Sequence, residues 1–403
     1  MKCDIAEKLL TVGLHVLAML TVAGTAMATS DFPDAAASDP NTLGLMQGFP
    51  PAPEKRVMQP NSNFFSFPKL RWTVCHIREL MPTKQVSRGF GAPVLLEYAL
   101  DDGIDAVTFM PMGGDKLMTW KEALAANYTD GMLVMHKGKV VYENYMGCLA
   151  EAGKHAAMSM TKSMTGLLAE ILVAEGTLDD KALVSTIIPE LADSAFADAT
   201  VRQVMNMTTG LAYSEDYANP KADIWVYSAA ANPMPKPADY EGPIGYYEYL
   251  QTVKKEGKHG EAFGYKTINT DALGWIVSRV SGKSITELLS ERIWSRMGAE
   301  QDGYFTVDGI GTPFAGGGLS AGLRDLGRIG QLMLDKGEIN GERLFPANVA
   351  DKIRAGGDKT AFEKAGYNTL TGGSYSGMWW VFHNDHGAYA ARGVHGQTIY
   401  IDP

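Results

Sequence analysis

The sequence predicts a mixed α/β (α+β) fold, in which an antiparallel sheet is flanked by helices and a mainly helical subdomain is inserted. Three observations predict it. Two short apolar runs near residue 140 flank a turn, a long stretch with helical spacing follows, and strand-like runs return towards residue 400. Strands from the two ends are then placed to form one antiparallel sheet, with the helical middle packed beside it. The default position for an active site is the junction.

Taken in order, the first residues read as a secretory signal. Lys2 and Lys8 bracket the n-region, Leu9 to Ala23 is apolar, and Ala26-Met27-Ala28 is a small-x-small cleavage site. The apolar run is short for a membrane span. Residues 1–28 are therefore expected to be removed, leaving a periplasmic or secreted protein with no membrane attachment. Residues 29–60 are rich in Pro, Ala, Asp and Asn without periodicity and read as a linker or loosely packed arm. Residues 61–403 are assigned to one domain, with a helical subdomain at about 176–297 and a sheet subdomain from about 128–175 and 298–403.

Within that domain, Met132 to Met135 and Val140 to Tyr142 alternate around His136-Lys137-Gly138-Lys139, which is a hairpin signature. Ser163 to Glu175 carries Leu167, Leu168, Ile171 and Leu172 at helical spacing and ends at Gly176. Ile268 to Val280 repeats the pattern and stops at Gly282; Ile285 to Met297 is a further helix. Gly316-Gly317-Gly318 reads as a flexible turn, and Leu319 to Lys336 as a helix closed by Gly337. Met378 to Phe382, Tyr389 to Ala391 and Thr398 to Ile401 are strand-like.

Composition removes several function classes. Hydrophobic residues are 45% and charged residues 20% of the 403, a balance that excludes long disorder and a polytopic membrane protein. A formal net charge of -10 argues against a nucleic-acid partner. No Cys-x-x-Cys or His-Glu-x-x-His spacing occurs, so neither a metal nor another cofactor is expected. Of the three cysteines, Cys3 falls in the expected signal. Cys75 and Cys148 either pair or stay as two buried thiols. The sequence sets no oligomeric state.

The chemistry concentrates at Ser159-Met160-Thr161-Lys162. A serine hydroxyl is a weak nucleophile at neutral pH and needs a base. The i, i+3 spacing on a helix puts hydroxyl and amine on one face, and a lysine shielded from water gives up its proton more readily. Met158, Met160 and Met164 surround the pair and point to a face that is not fully solvated. Alone, so short a motif is also compatible with an ordinary helix surface.

A hairpin, Ser-x-x-Lys and an apolar helix in succession resemble the serine β-lactamase and penicillin-binding-protein superfamily. Further segments resemble its class C and esterase branch in order: Val204 to Leu211, Tyr265 to Trp275, Ala315 to Leu319 with Arg324-Asp325-Leu326, and Gly393-Val394-His395-Gly396-Gln397. Within the branch, the Asn-Thr-Asp-x-Leu-Gly-Trp run at 269–275, the Val-His-Gly-Gln segment and Gly48 to Pro53 are most similar to the 6-aminohexanoate-dimer hydrolases.

The resemblance implies a role for each matched residue. Ser159 is the acylated nucleophile, Lys162 its base, and Tyr265 the proton carrier beside both. The backbone N–H groups of Ser159 and Val394 form the oxyanion hole, the kind of group that is often the largest catalytic contributor. Tyr217 and His395 face the substrate and Asn269 supports the site. The expected partner is a small-molecule ester or short linear amide.

Two departures from the family pattern matter. Arg392-Gly393-Val394 stands where a Lys-Thr-Gly strand is usual, which lowers the expectation of β-lactamase or D-alanyl-D-alanine peptidase activity without removing that alternative. The chain also ends at Asp402-Pro403, where the family continues with another strand and a helix, so it reads as truncated. A non-catalytic binding or sensor domain on the same fold is the alternative from a different class.

Overall fold

The structure is a computed structural model that describes residues 32–58 and 63–403. The expected signal at 1–28 lies outside the described residues. The chain divides into two units.

The first unit takes the described residues up to Leu80, Leu95–His155 and Tyr217–Pro220. Its sheet has β1 (Glu97–Tyr98), β2 (Gly131–His136) and β3 (Lys139–Tyr145). β2 and β3 form the expected hairpin, with a register shift at Val134/Met135, and β1 pairs in parallel with β3. Lys137 and Gly138 take φ of 50° and 77°. Two successive positive φ values match the twist of the flanking strands, which is why a glycine serves there. Helix α1 (Trp120–Ala126) starts with a reciprocal cap between Thr119 and Glu122.

Cys75 and Cys148 form a disulfide, which settles the pairing that the sequence left open. The stretch read as a loosely packed arm is instead packed into this unit. Ser38 and Val57 are fully buried, and Arg71 donates to the Ala35 carbonyl at 2.6 Å and to Ser38 Oγ at 3.0 Å. Scattered polar anchors, rather than any periodic pattern, hold it, so nothing in the apolar spacing announced it.

The second unit takes Met81–Val94, Ala156–Asp216 and Lys221–Pro403. Its centre is helix α2 (Met160–Ala174), buried at every position from Met160 to Leu172. A helix buried on every face lies in the core of its unit, and its polar side chains there need partners. The buried Glu170 is tied there to Arg202, which also holds Asp180. α2 packs on a helix over Ile268–Ser281 (α6), which packs in turn on α3 (Val201–Met205) and α5 (Gly245–Thr252), and α5 packs on α4 (Asp223–Ala231). α6 ends at Gly282, whose φ of 70° gives the left-handed stop that the sequence announced.

The strand Thr83–Val86 pairs antiparallel with β4 (Gly303–Thr306), which pairs with β5 (Leu319–Ala321). Leu319–Ala321 is thus a strand and not the start of a helix. The helix α7 begins at Leu323 and ends at Leu334. Leu319 and Ala321 are buried in the ladder with β4, and this tertiary pairing overrides a helical reading of the local spacing.

Four C-terminal strands form an antiparallel sheet in the order β6 (Ser374–Ser376), β7 (Trp379–Val381), β8 (Tyr389–Gly393) and β9 (Gln397–Ile401). α2 packs on β8, and α7 turns Leu326, Ile329, Leu332 and Met333 inward where it packs on β9. Gly166 allows α2 its close approach, since a Cβ there would lie 2.0 Å from the Gly377 carbonyl oxygen. The hairpin and these strands hydrogen-bond in separate ladders, so the single sheet expected from the sequence is two sheets among the described residues. The fold class is as expected: helices flanking antiparallel and mixed sheets in a β-lactamase-like arrangement.

Candidate active site

Ser159 stands at the N-terminal boundary of α2, with φ -67° and ψ -7°. The preceding Met158 has φ 48°, a left-handed turn that a non-glycine residue adopts only under constraint. One constraint is visible on each side: the Ala157 N–H donates to the Leu319 carbonyl at 2.8 Å, and Thr161 Oγ1 donates to the Met158 carbonyl at 2.6 Å. The nucleophile candidate is therefore held at a sharp bend between the strand His155–Ala156 and α2.

One turn on, Lys162 is 1% exposed. Its Nζ is 3.0 Å from Ser159 Oγ and donates to the Gly316 carbonyl at 2.6 Å. Burial lowers its pKa to about 8, against the opposing pull of the Glu215 and Asp271 carboxylates. A lysine so placed is partly neutral near physiological pH, as a proton acceptor must be.

Tyr265 precedes α6. Burial together with the Glu215 charge pushes its phenol well above the usual range, against the opposing effect of the nearby Ser159 hydroxyl. The phenol therefore stays protonated. The Lys162 Nζ lies 5.1 Å from its ring centre. Trp380 of β7 stacks on the same ring with centroids 5.5 Å apart, and the Arg392 guanidinium sits 5.8 Å over Trp380. This ring stack fixes the phenol from outside while α6 fixes its backbone.

Gly393, at the end of β8, meets the Ser159 backbone. A Cβ on Gly393 would lie 2.8 Å from the Ala157 carbonyl oxygen and 2.9 Å from the Ser159 nitrogen. The segment carrying Val394 therefore follows directly on a strand end that touches the Ser159 amide. Val394 is half-buried, and His395 is exposed with φ 62°.

Asn269 is fully buried, accepts from Thr209 Oγ1 at 2.7 Å and donates to the Lys266 carbonyl at 3.2 Å. Its bonds hold the backbone next to Tyr265 rather than reaching Ser159 or Lys162. Tyr217 is half-buried in a short segment that belongs to the first unit, whereas Ser159, Lys162, Tyr265, Asn269, Val394 and His395 all belong to the second.

Four participants were not singled out from the sequence. Glu215 accepts the Thr267 N–H and hydroxyl, both at 2.6 Å. Thr267 sits two residues after Tyr265, so this carboxylate braces the tyrosine's own turn. Asp271 accepts the Tyr227 hydroxyl at 2.5 Å and the Gly316 N–H at 3.3 Å. The fourth is Gly316 itself, read from sequence only as a flexible turn. Carboxylates beside the matched motifs were the available signal, but spacing alone did not say which would face the lysine.

Elsewhere, Cys75, Cys148 and His155 bring their ligand atoms within 4.8 Å of one another. The two sulfurs are bonded to each other, so the group offers a metal one imidazole and no thiolate. No helix among the described residues is long and apolar enough to cross a membrane.

Residues 122–403 match the Beta-lactamase family, and the chain belongs to that family. The match spans most of the chain and includes all of the candidate site residues. A curated relative, the 6-aminohexanoate-dimer hydrolase of Paenarthrobacter ureafaciens, is 34% identical over 337 residues, covering 83% of each chain. A solved Bacillus anthracis structure, provisionally named a 6-aminohexanoate-dimer hydrolase, is 32% identical with TM-score 0.76, covering 85% of this chain and 87% of that one. The octameric penicillin-binding-protein homologue of Pyrococcus abyssi shares the fold at TM-score 0.51 and 19% identity, covering 69% of this chain and 67% of that one. This chain is thus a hydrolase of the esterase and amidase type within its superfamily.

Proposed function

We propose that this chain hydrolyses carboxylic esters and short linear amides, 6-aminohexanoate dimer among them, through an acyl-enzyme on Ser159. The observation that carries the proposal is the 3.0 Å contact between Lys162 Nζ and Ser159 Oγ on a buried helix start. The relatives named for 6-aminohexanoate-dimer hydrolysis support the amide part of the substrate range.

In this mechanism neutral Lys162 takes the Ser159 proton as Oγ attacks the substrate carbonyl. The carbonyl oxygen becomes an oxyanion and accepts from the backbone N–H groups of Ser159 and Val394. The bond to the leaving amine or alkoxide breaks as Tyr265 donates its proton, which Lys162 then replaces. Water, giving up a proton to the same pair, attacks the ester and frees Ser159. His395 contacts the substrate, and Asn269 supports the turn that carries Tyr265. The protein works after export to the periplasm or medium, with residues 1–28 as its signal.

The test is a panel of p-nitrophenyl esters, 6-aminohexanoate dimer and a penicillin reporter. Ser159→Ala is expected to abolish ester and dimer turnover and labelling by a serine-directed phosphonate. Unchanged turnover would sink the proposal. Faster acylation by the penicillin than by the esters would move the reading to a β-lactamase or D-alanyl-D-alanine peptidase. An unlabelled, inactive wild type would move it to a binding domain.

A further inference from the structure

Helix α6 carries a carboxylate that the acyl-transfer mechanism leaves unused. Asp271, in its first turn, is 2% exposed. Its hydrogen bonds come from a phenol and from backbone rather than from a cation: Tyr227 on α4 donates to Oδ2 at 2.5 Å and the Gly316 N–H to Oδ1 at 3.3 Å. Gly316 is the same residue whose carbonyl accepts the Lys162 amine at 2.6 Å. It has no room to shift, since a Cβ there would lie 2.6 Å from Thr267 Cγ2 and 3.1 Å from Asp271 Oδ2. Thr165 of α2 pins the adjoining residue by donating to the Ala315 carbonyl at 3.2 Å.

An asparagine at 271 would satisfy these bonds, because its amide oxygen accepts the Gly316 N–H and its nitrogen faces the phenol oxygen. A carboxylate differs chiefly by its charge, and a buried charge is costly unless something nearby is balanced by it. The cation that interacts with it is Lys162.

We infer that Asp271 is a positioning residue for Lys162. It clamps Gly316 so that the Gly316 carbonyl takes one amine hydrogen and the nitrogen lone pair faces Ser159, and its negative charge governs how firmly that amine keeps its proton. This rests on the acyl-transfer reading of Ser159 and Lys162.

The surrounding groups support the sign. Burial raises Asp271 to about 7, while Tyr227, Lys162 and the Gly316 and Ala315 N–H groups pull it down. Those donors and the Lys162 charge favour its anion in the range near 8 where Lys162 releases its proton. Facing the pair are Tyr227 on α4, Tyr246 and Tyr247 on α5, and Glu215 and Tyr265 from the site loops. The three tyrosines on α4 and α5 are all raised by burial and stay neutral in that range. Arg202 on α3 is occupied by Glu170 and Asp180.

The experiment is the pH profile of kcat/KM for a p-nitrophenyl ester on the full chain. Removing the anion makes Lys162 lose its proton more easily, so Asp271→Asn is expected to move the acid limb to lower pH by about one unit. Tyr227→Phe, which weakens the anion without deleting it, is expected to move the limb the same way by less. A purely structural role would scale activity down at every pH and leave the limb in place. An unmoved limb in Asp271→Asn, or in Tyr227→Phe where the first variant does not fold, overturns the inference. Failure of the underlying reading is distinct, because it shows as turnover that persists in Ser159→Ala.

Discussion

The Gly393 backbone sits so close to Ser159 that a Cβ on it would lie 2.9 Å from the Ser159 nitrogen. A strand end from near residue 393 and a helix start near residue 159 thus share one small volume, where an oxyanion would form. Gly393→Ala is expected to cut kcat on p-nitrophenyl esters at least about 100-fold, the scale of losing one oxyanion donor. Gly176→Ala, a control at φ 74° with nothing within 4 Å of its Cβ, is expected to leave kcat unchanged and to cost about 1 kcal/mol of stability. Equal kcat in both variants would refute the strand-end contact.

Activity should follow the protonation of Lys162. Its pKa of about 8 predicts that kcat/KM rises with pH through that value, because only the neutral amine accepts the Ser159 proton. Lys162→Ala is expected to lower kcat by about 10²–10⁴-fold, and Lys162→Arg not to recover it, because a guanidinium stays protonated. A flat profile from pH 6 to 9 would remove the lysine from the role of base.

Tyr265 turns its ring towards Lys162 Nζ and shares a stack with Trp380. Tyr265→Phe keeps the ring, so stability in urea should stay within about 1 kcal/mol while deacylation slows. The measurement is accumulation of the acyl-enzyme by intact-mass spectrometry. Wild-type kinetics in the phenylalanine variant would show that the hydroxyl carries no proton.

Glu215 accepts two bonds from the buried Thr267. Glu215→Ala leaves a buried N–H without its partner and should cost about 1–3 kcal/mol in chemical denaturation. Glu215→Gln should lose less, since its amide oxygen still accepts the N–H.

The Cys75–Cys148 bridge closes a loop with a sequence separation of 73. Reduction or replacement of both cysteines by alanine is expected to cost about 2–5 kcal/mol, read as a lower Tm in the presence of a thiol reductant. Free-thiol titration of the untreated denatured protein should then find neither Cys75 nor Cys148. Two titratable thiols would rule out the pairing.

Local patterns carried much of this molecule. The hairpin at Gly131–Tyr145, the core helix from Met160 and the stop at Gly282 were legible because periodicity and turn chemistry act over a few residues. Ser159 and Lys162 were legible for the same reason, their spacing being one helical turn. Leu319–Ala321 was misread as helix because its strand pairing depends on β4, which local spacing does not contain. The packed stretch around Ser38 and Val57 was read as loose because its anchors come from Arg71 and not from its own pattern.

By itself, the sequence determined the fold class and the one-turn spacing that brings Ser159 and Lys162 together, since both are written in local pattern. Only the tertiary structure decided which buried carboxylates face the lysine, that Gly316 holds its amine, that Gly393 touches the Ser159 amide, and that the N- and C-terminal strands pair in separate ladders. Those facts depend on distances between segments far apart in the chain, and on the loss of water around them, which spacing along the chain does not encode.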